Sequence, residues 1–336
     1  VTTFNISPYV RHRLGSFADS EFRYTVDAVS NDANGLRTTS SSSTSESSLR
    51  SGKYFSRVQW SLSYRRQRVI TTSGSINRFR NIEGEVRYQF NRSYGVVAKL
   101  GKQRNVFPST QTPPGGRHWE MGLIWTPSAR TSLDARFGRQ PFGRNHSMEF
   151  SHRSKRLKWD ASFSQQQTSS RQLQLERVLI PLTDVLGNPV VDPTSGAQVE
   201  IPVDTINPTD EVVVQARFDG SAVYSGRRTT ARLAIFSEER TFQVSGNFSQ
   251  TIGASFNVDR KITPQDTLTA SGSMSVSKDT AANQKDERTT LSLRYTHLFG
   301  KNLRGVLGYN KVKQNSSSAG NEYDENRVSV GLLATF

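Results

Sequence analysis

Residues Ile82 to Phe90 read Ile-Glu-Gly-Glu-Val-Arg-Tyr-Gln-Phe, and their alternation decides the fold class. Ile82, Gly84, Val86, Tyr88 and Phe90 take every second position, with Glu83, Glu85, Arg87 and Gln89 between them. Successive side chains on a strand point to opposite faces, so such a run makes a strand with one apolar and one polar face. The pattern recurs from end to end. Phe22, Tyr24, Val26 and Ala28 form one such face, as do Val58, Trp60, Leu62 and Tyr64. Trp119, Met121, Leu123 and Trp125 form another, and Leu157, Trp159, Ala161 and Phe163 a fourth. Further on, Leu268, Ala270, Gly272, Met274 and Val276 repeat it. Helical periodicity is nowhere sustained, so the chain is all-β, with about seventeen strands.

Composition separates two kinds of β-protein. Of 336 residues 34% are hydrophobic, and the mean hydropathy is −0.60. No apolar run approaches the roughly 20 residues of a transmembrane helix. A membrane β-barrel also stays polar on average, because lipid-facing and lumen-facing residues alternate. Cysteine is absent, which removes disulfides, thiolate metal sites and cysteine nucleophiles. The net charge of +15 raises the question of nucleic acid. Nucleic-acid binders concentrate their cations on one segment or face, whereas here they are spread from Arg11 to Arg327, so no nucleic-acid partner is expected.

Connections alternate between short and long. Gly15 to Asp19, Gly52 to Phe55, Asn91 to Tyr94, Pro127 to Arg130, Arg153 to Arg156, Thr263 to Asp266 and Phe299 to Asn302 are short. Between them lie polar links at Ser30 to Ser48, Pro108 to Arg117, Lys278 to Glu287 and Gln314 to Asp324. That rhythm predicts an antiparallel up-and-down transmembrane β-barrel, with tight periplasmic turns and longer extracellular loops. A soluble sandwich such as a secreted lectin would place its long connections irregularly. The whole chain, residues 1–336, reads as a single barrel domain. One segment departs from it: Arg171 to Asp210 carries no basic residue after Arg177. It is expected to be an external hairpin or, alternatively, a plug folded into the lumen. With short turns periplasmic, the first strand (Phe4 to Leu14) and the last run the same way. Bacterial single-chain barrels have even strand counts, so the expectation is that N-terminal strands are lacking here and that the complete barrel has 18 or more.

The closing residues Val328, Val330, Leu332, Ala334 and Phe336 fall on one face and end on an aromatic. This resembles the C-terminal signal read by the outer-membrane assembly machinery. Tyr9, Tyr24, Tyr88, Phe90, Tyr94, Trp119, Trp125 and Tyr295 lie near strand ends, where membrane barrels carry aromatic girdles.

Several stretches resemble the outer-membrane barrel family found with PEP-CTERM/exosortase systems, whose genes tend to lie in exopolysaccharide loci. They are Ser7 to Tyr24, Ser51 to Gln67, Arg117 to Gly143 and Glu322 to Phe336. The likeness spans nearly the whole chain, is weakest over Arg171 to Asp210, and includes no catalytic motif. It implies a Gram-negative outer-membrane barrel linked to exopolysaccharide export or biofilm matrix, and members longer at the N-terminus.

If the apolar faces meet lipid, Arg23, Arg57, Arg65, Arg87, Arg136, Arg217, Arg294, Arg304 and Arg327 point inward, beside Glu21, Glu83, Glu85, Glu120, Asp134 and Asp160. Such a wall either neutralises itself or passes anionic solutes; the expectation is a mixed network with a basic excess. Of the histidines, His118 stands two residues before Glu120, and His146 and His152 share a hairpin with Glu149; His12 and His297 stand apart. None forms a catalytic or metal-binding signature, so no enzyme, metal or cofactor is expected. The function expected is a passive, porin-like conduit with a basic lumen, serving exopolysaccharide export. The alternatives are a general diffusion porin or a closed structural barrel, and less favourably a barrel hydrolase acting on lipid or glycan. Expected partners are outer-membrane lipid and lipopolysaccharide, an anionic polysaccharide, the assembly machinery and an export partner protein.

Overall fold

The computed structural model of the chain describes residues 2–334 apart from 34–35, 72–73, 75, 111–114, 170–178, 182–199, 203–211, 281–282, 301, 319 and 321. The strands are β1 (Thr2–Ile6), β2 (Tyr9–Leu14), β3 (Ala18–Ala33), β4 (Leu36–Ser51), β5 (Val58–Thr71), β6 (Ile76–Gln89), β7 (Tyr94–Gln103), β8 (Gly116–Ser128), β9 (Thr131–Gln140) and β10 (Gly143–Arg153). They continue as β11 (Leu157–Ser169), β12 (Leu179–Pro181), β13 (Glu200–Pro202), β14 (Val212–Ser225), β15 (Thr229–Phe242), β16 (Phe248–Lys261), β17 (Asp266–Asp279), β18 (Gln284–Leu298), β19 (Leu303–Ser316) and β20 (Tyr323–Ala334).

Eighteen strands form one antiparallel sheet in which β3 to β11 and β14 to β20 pair successively, β11 joining β14, while β12 and β13 pair apart. β1 and β2 both pair with β3 and are two parts of one pass, so the meander has seventeen passes. Pro8 separates the two parts. It lacks an N–H to donate, and an edge strand tolerates that gap best. The register nonetheless runs through unbroken, from Ile6↔Val26 to Tyr9↔Arg23. Among the described residues β2 and β20 each pair on one side only.

Burial is inverted relative to a soluble protein. Val330, Leu100 and Met274 are 80%, 67% and 54% exposed, while His118, Gln215 and Glu120 are 2%, 5% and 8% exposed. On most passes the apolar side chains found by alternation lie outward and polar ones inward, with Val69, Val97, Ile124 and Val306 as buried apolar exceptions on the inner side. Water would penalise such an apolar belt; hydrocarbon would not. At the short-turn end the rings of Phe17, Phe55 and Trp60 pack together, with Phe17 and Phe55 centroids 5.3 Å apart. Gly52 lets two turns meet there, since its N–H donates to Phe17 O at 2.7 Å and a Cβ would lie 2.3 Å from Ser16 O.

Two expectations need correction. Ser30 to Ser48 is not a long loop: β3 continues to Ala33, and β4 starts at Leu36. Ser43 and Ser45 face Val26 and Tyr24 in register, and Ser42 and Thr44 are buried on the inward face. The ladder needs backbone groups, and its neighbours supply the bulk, so small hydroxyl side chains suffice. Lys278 to Glu287 is likewise mostly strand, whereas Gln314 to Asp324 is strand only at its two ends. The passes therefore run beyond the apolar belt at the long-connection end instead of breaking into loops. Of Arg171 to Asp210, only β12 and β13 are described, paired with Ile180 opposite Ile201; the rest lies outside the described residues. Phe336 of the terminal signal also lies outside them, while Val328 and Leu332 face outward with Val330.

Ile235, in the middle of β15, is 46% exposed on the outward face. If that face meets lipid, Ile235→Arg is expected to cost about 2–4 kcal/mol in equilibrium unfolding from bilayer vesicles. On a water-facing surface the same change would stay within about 0.5 kcal/mol, and that result would refute the lipid-facing assignment.

Candidate functional site: the inner wall and its mouth

One charged network of the inner wall lies on β6 to β10. Register places Glu85 opposite Lys99, Lys99 opposite Glu120, and Glu120 opposite Gly138, all on the inward face. Arg136 on β9 donates through Nε and Nη2 to both oxygens of Asp134 at 2.8 Å, a bidentate pair. Its Nη1 reaches Glu85 on β6 at 2.9 Å. Three strand steps separate β6 from β9, roughly 14 Å along a flat sheet, so inward curvature brings these groups together. Glu120 accepts from Gln140 at 2.8 Å and from Asn145 at 2.7 Å, and Lys99 stands 3.5 Å away. His118 lies against Gly101, where a Cβ would come 2.3 Å from its ring, and its Nε2 is 3.6 Å from Glu83.

A second knot sits on β14 and β15. Arg217 holds Asp219 at 2.7 and 2.8 Å and Glu238 at 2.8 Å, and its guanidinium lies 5.8 Å from the Phe236 ring centroid. Arg240 also contacts Glu238. On β2 and β3, Tyr9 sits between Arg11 and Arg23 at 5.0 and 4.9 Å.

The arginines singled out by alternation have these places. Arg23, Arg65, Arg87, Arg136, Arg217 and Arg327 pair with the carboxylates of Glu21, Glu46, Glu85, Asp134, Asp219 and Glu325 respectively. Arg294 and Arg304 are half-buried on β18 and β19, in register with Gly308 and Leu298. Arg57 lies before β5, exposed, and its carbonyl accepts from Gln89 N. Asp160 takes Ser151 and Lys158. His118 and Glu120 share the inward face. His146 and His152 point outward, away from Glu149, and His152 meets Thr131 at 2.8 Å. Charge compensation is the rule along this wall; oppositely charged partners across a polar lumen brace it as cross-strand pairs do.

The alternation gave no sign of a strap across the mouth. Past β7, Val106 bridges back to Arg78 of β6. Four residues later Thr110 N donates to Gln243 O at 2.7 Å, and its hydroxyl donates to Val244 O at 2.8 Å, at the turn after β15. Four residues span at most about 14 Å. Along the wall β6 and β15 are seven strand steps apart, roughly 33 Å. The segment therefore runs as a chord through the opening. Phe107 is buried within it, 5.7 Å from inward-facing Phe79, and Gln243 is fully buried at the far anchor.

An apolar outside, a compensated polar inside and an antiparallel meander make up the architecture of an outer-membrane β-barrel. Solved structures of that architecture are similar to this chain. OmpT, an outer membrane protein of Vibrio cholerae, matches at 10% identity over 94% of this chain and 97% of its own, with TM-score 0.35. The siderophore receptor PirA from Pseudomonas aeruginosa matches at 12% identity over 99% of this chain and 70% of its own, with TM-score 0.42. PirA from Acinetobacter baumannii matches at 9% over 99% of this chain and 62% of its own, with TM-score 0.48. At such identities and scores these likenesses carry no argument about what this chain binds. No protein-family model and no curated protein sequence matches the chain.

Removing Arg136 leaves Glu85 and Asp134 facing one another half-buried. Arg136→Met is expected to destabilise the folded barrel by about 2 kcal/mol, read as a shifted midpoint of urea unfolding. Adding Glu85→Gln to that variant should recover part of the loss. An unchanged midpoint in the single variant would remove the network from any structural role.

Proposed function

We propose that this chain is a passive conduit in the bacterial outer membrane, and that what it passes is an exported exopolysaccharide or another biofilm-matrix polymer. The inverted burial carries the membrane part of this reading: apolar side chains cover the outside, and Glu120, Asn145, Gln215 and Glu238 are buried inside. The polymer part rests on the resemblance of Ser7 to Tyr24, Ser51 to Gln67, Arg117 to Gly143 and Glu322 to Phe336 to exosortase-associated barrels. The inner wall is compatible with it. Arginine forks held in place by Asp134, Asp219 and Glu238 offer fixed donors to carboxylate or hydroxyl groups without a strong net field. No nucleotide or catalytic step is involved.

A second reading has an observation of its own. The chord from Val106 to Thr110 narrows the opening, which favours a barrel closed at rest or a purely structural one.

Single-channel recording in planar bilayers separates the two. In Thr110→Pro both donors to the far anchor are lost. A small wild-type conductance that rises severalfold in this variant is the outcome expected of a strapped conduit. Silence in both forms would mean a filled barrel and end the conduit proposal. For the polymer, deletion of the chain from its host should lower secreted polysaccharide; unchanged amount and composition would end that part alone.

A further inference from the structure

The outward face of β5 to β10 changes character along one line. On each of five passes a single i±2 step leads from an apolar residue to a cation: Tyr64 to Arg66, Ile82 to Arg80, Leu100 to Lys102, Trp119 to Arg117, and Phe137 to Arg139. All five cations lie at the long-connection end, and all are exposed. Register sets them side by side. Arg66 faces Arg80, Arg68 faces Arg78, Lys102 faces Arg117, and Arg139 faces Arg144, while Arg104 N bonds Arg80 O at 2.8 Å. Like charges directly opposite one another destabilise a sheet. Here four such pairs stand in a row, with no Asp or Glu at any outward position of these six strands. None of these cations makes an ion pair among the described residues. The carboxylates of the same strands, Glu83, Glu85, Glu120, Asp134 and Glu149, all face inward.

A solvated rim would not need this segregation, and the rest of the barrel lacks it. On β15, β18 and β20 the outward rim carries Glu239, Glu287 and Asp324, and Lys285 pairs with Glu287 at 2.6 Å. The row on β5 to β10 is therefore a local feature. Eight of its nine cations are arginines, whose planar forks match phosphate oxygens in pairs. It begins where the apolar belt ends, the depth at which headgroup phosphates of a lipid covering that belt would lie.

We infer that this row is a docking site for the phosphate groups of an outer-leaflet glycolipid of the lipid A class, whose acyl chains lie on the apolar belt below. The inference rests on the membrane placement proposed above and on the long-connection end being extracellular. Each phosphate sits between two or more guanidinium groups of neighbouring strands and relieves their mutual repulsion, so the row is fully stable only with lipid bound.

The test refolds the full chain into phosphatidylcholine vesicles that also contain either diphosphoryl lipid A or its dephosphorylated form. Barrels are then extracted in detergent, and retained lipid is counted by native mass spectrometry. Retention of the diphosphoryl form is expected to exceed that of the dephosphorylated form by at least about tenfold. It should fall by a similar factor in the variant carrying Arg78→Ser, Arg80→Ser, Arg104→Ser and Arg117→Ser, and stay unchanged when Lys285→Ser and Lys313→Ser are made together. Should the fourfold variant not fold, as judged by heat-modifiable gel mobility, inorganic phosphate is titrated onto the lipid-loaded wild type, where displacement is expected. Equal retention of the two lipids, equal retention by the folded variants, no displacement by phosphate, or preferential capture of a soluble acidic polysaccharide overturns the inference. A chain that never enters the vesicles overturns the membrane reading along with it, whereas insertion without lipid preference overturns the phosphate site alone.

Discussion

Inside hydrocarbon every backbone N–H and C=O must find a partner within the protein, because no water is there to replace it. The antiparallel ladder is how this chain meets that demand, and the other features follow from it. The ladder fixes a period of two, so each pass has one face for lipid and one for the lumen. It also fixes register, and a slip of one residue would turn the whole apolar set of a strand inward. Along β5 to β9 the register keeps Tyr64 beside Ile82 and Trp119 beside Leu100 on the outside, and Ser63 beside Glu83 on the inside. A charged inner wall is affordable under that constraint only if its members answer one another. Arg136, reaching Asp134 and Glu85 at once, is the clearest case.

Charge is sorted by face as well as by pairing. The net +15 suggests a basic lumen when read as a total. Resolved by face, the inward arginines largely meet carboxylates, and a contiguous block of cations with no ion pair among the described residues stands outward above the belt. Both kinds of side chain sit on the same strands in alternation, so composition cannot tell them apart, but parity can. Arg87 and Arg80 belong to one strand and differ by an odd number of residues, which puts one in the lumen and the other at the membrane rim.

What was legible in the sequence was whatever the two-residue period controls. The all-β class, the number of passes and the inward parity of Arg23, Arg136 and Arg217 with their acidic neighbours all follow from local alternation. Two things did not. Ser40 to Ser48 has no apolar face to signal a strand, yet β4 forms because β3 and β5 offer complete ladders on both sides and Tyr24 and Tyr64 supply the bulk. Tertiary context overrides a weak β-propensity there. The strap from Val106 to Thr110 was invisible for the opposite reason. Its anchors, Gln243 O and Val244 O, are backbone atoms more than 130 residues away, and no side-chain pattern announces them.

The strap and the basic row share one connection, which bears on how the mouth is held. Arg104 and Arg117 are the outward cations at which this connection leaves β7 and enters β8. Between them Phe107 turns in against Phe79, and Thr110 crosses to the turn after β15. The chord is short, so its far anchor can move little unless its near ends move too. Its near ends are set partly by Arg104, bonded to β6 through Arg80 O, and by Arg117, opposite Lys102. Like charges stand opposite one another at the tops of β6, β7 and β8, and the strap's bonds to Gln243 and Val244 tie the same connection to the far side of the opening. One connection therefore carries both the outward cations at the rim and the chord across the mouth.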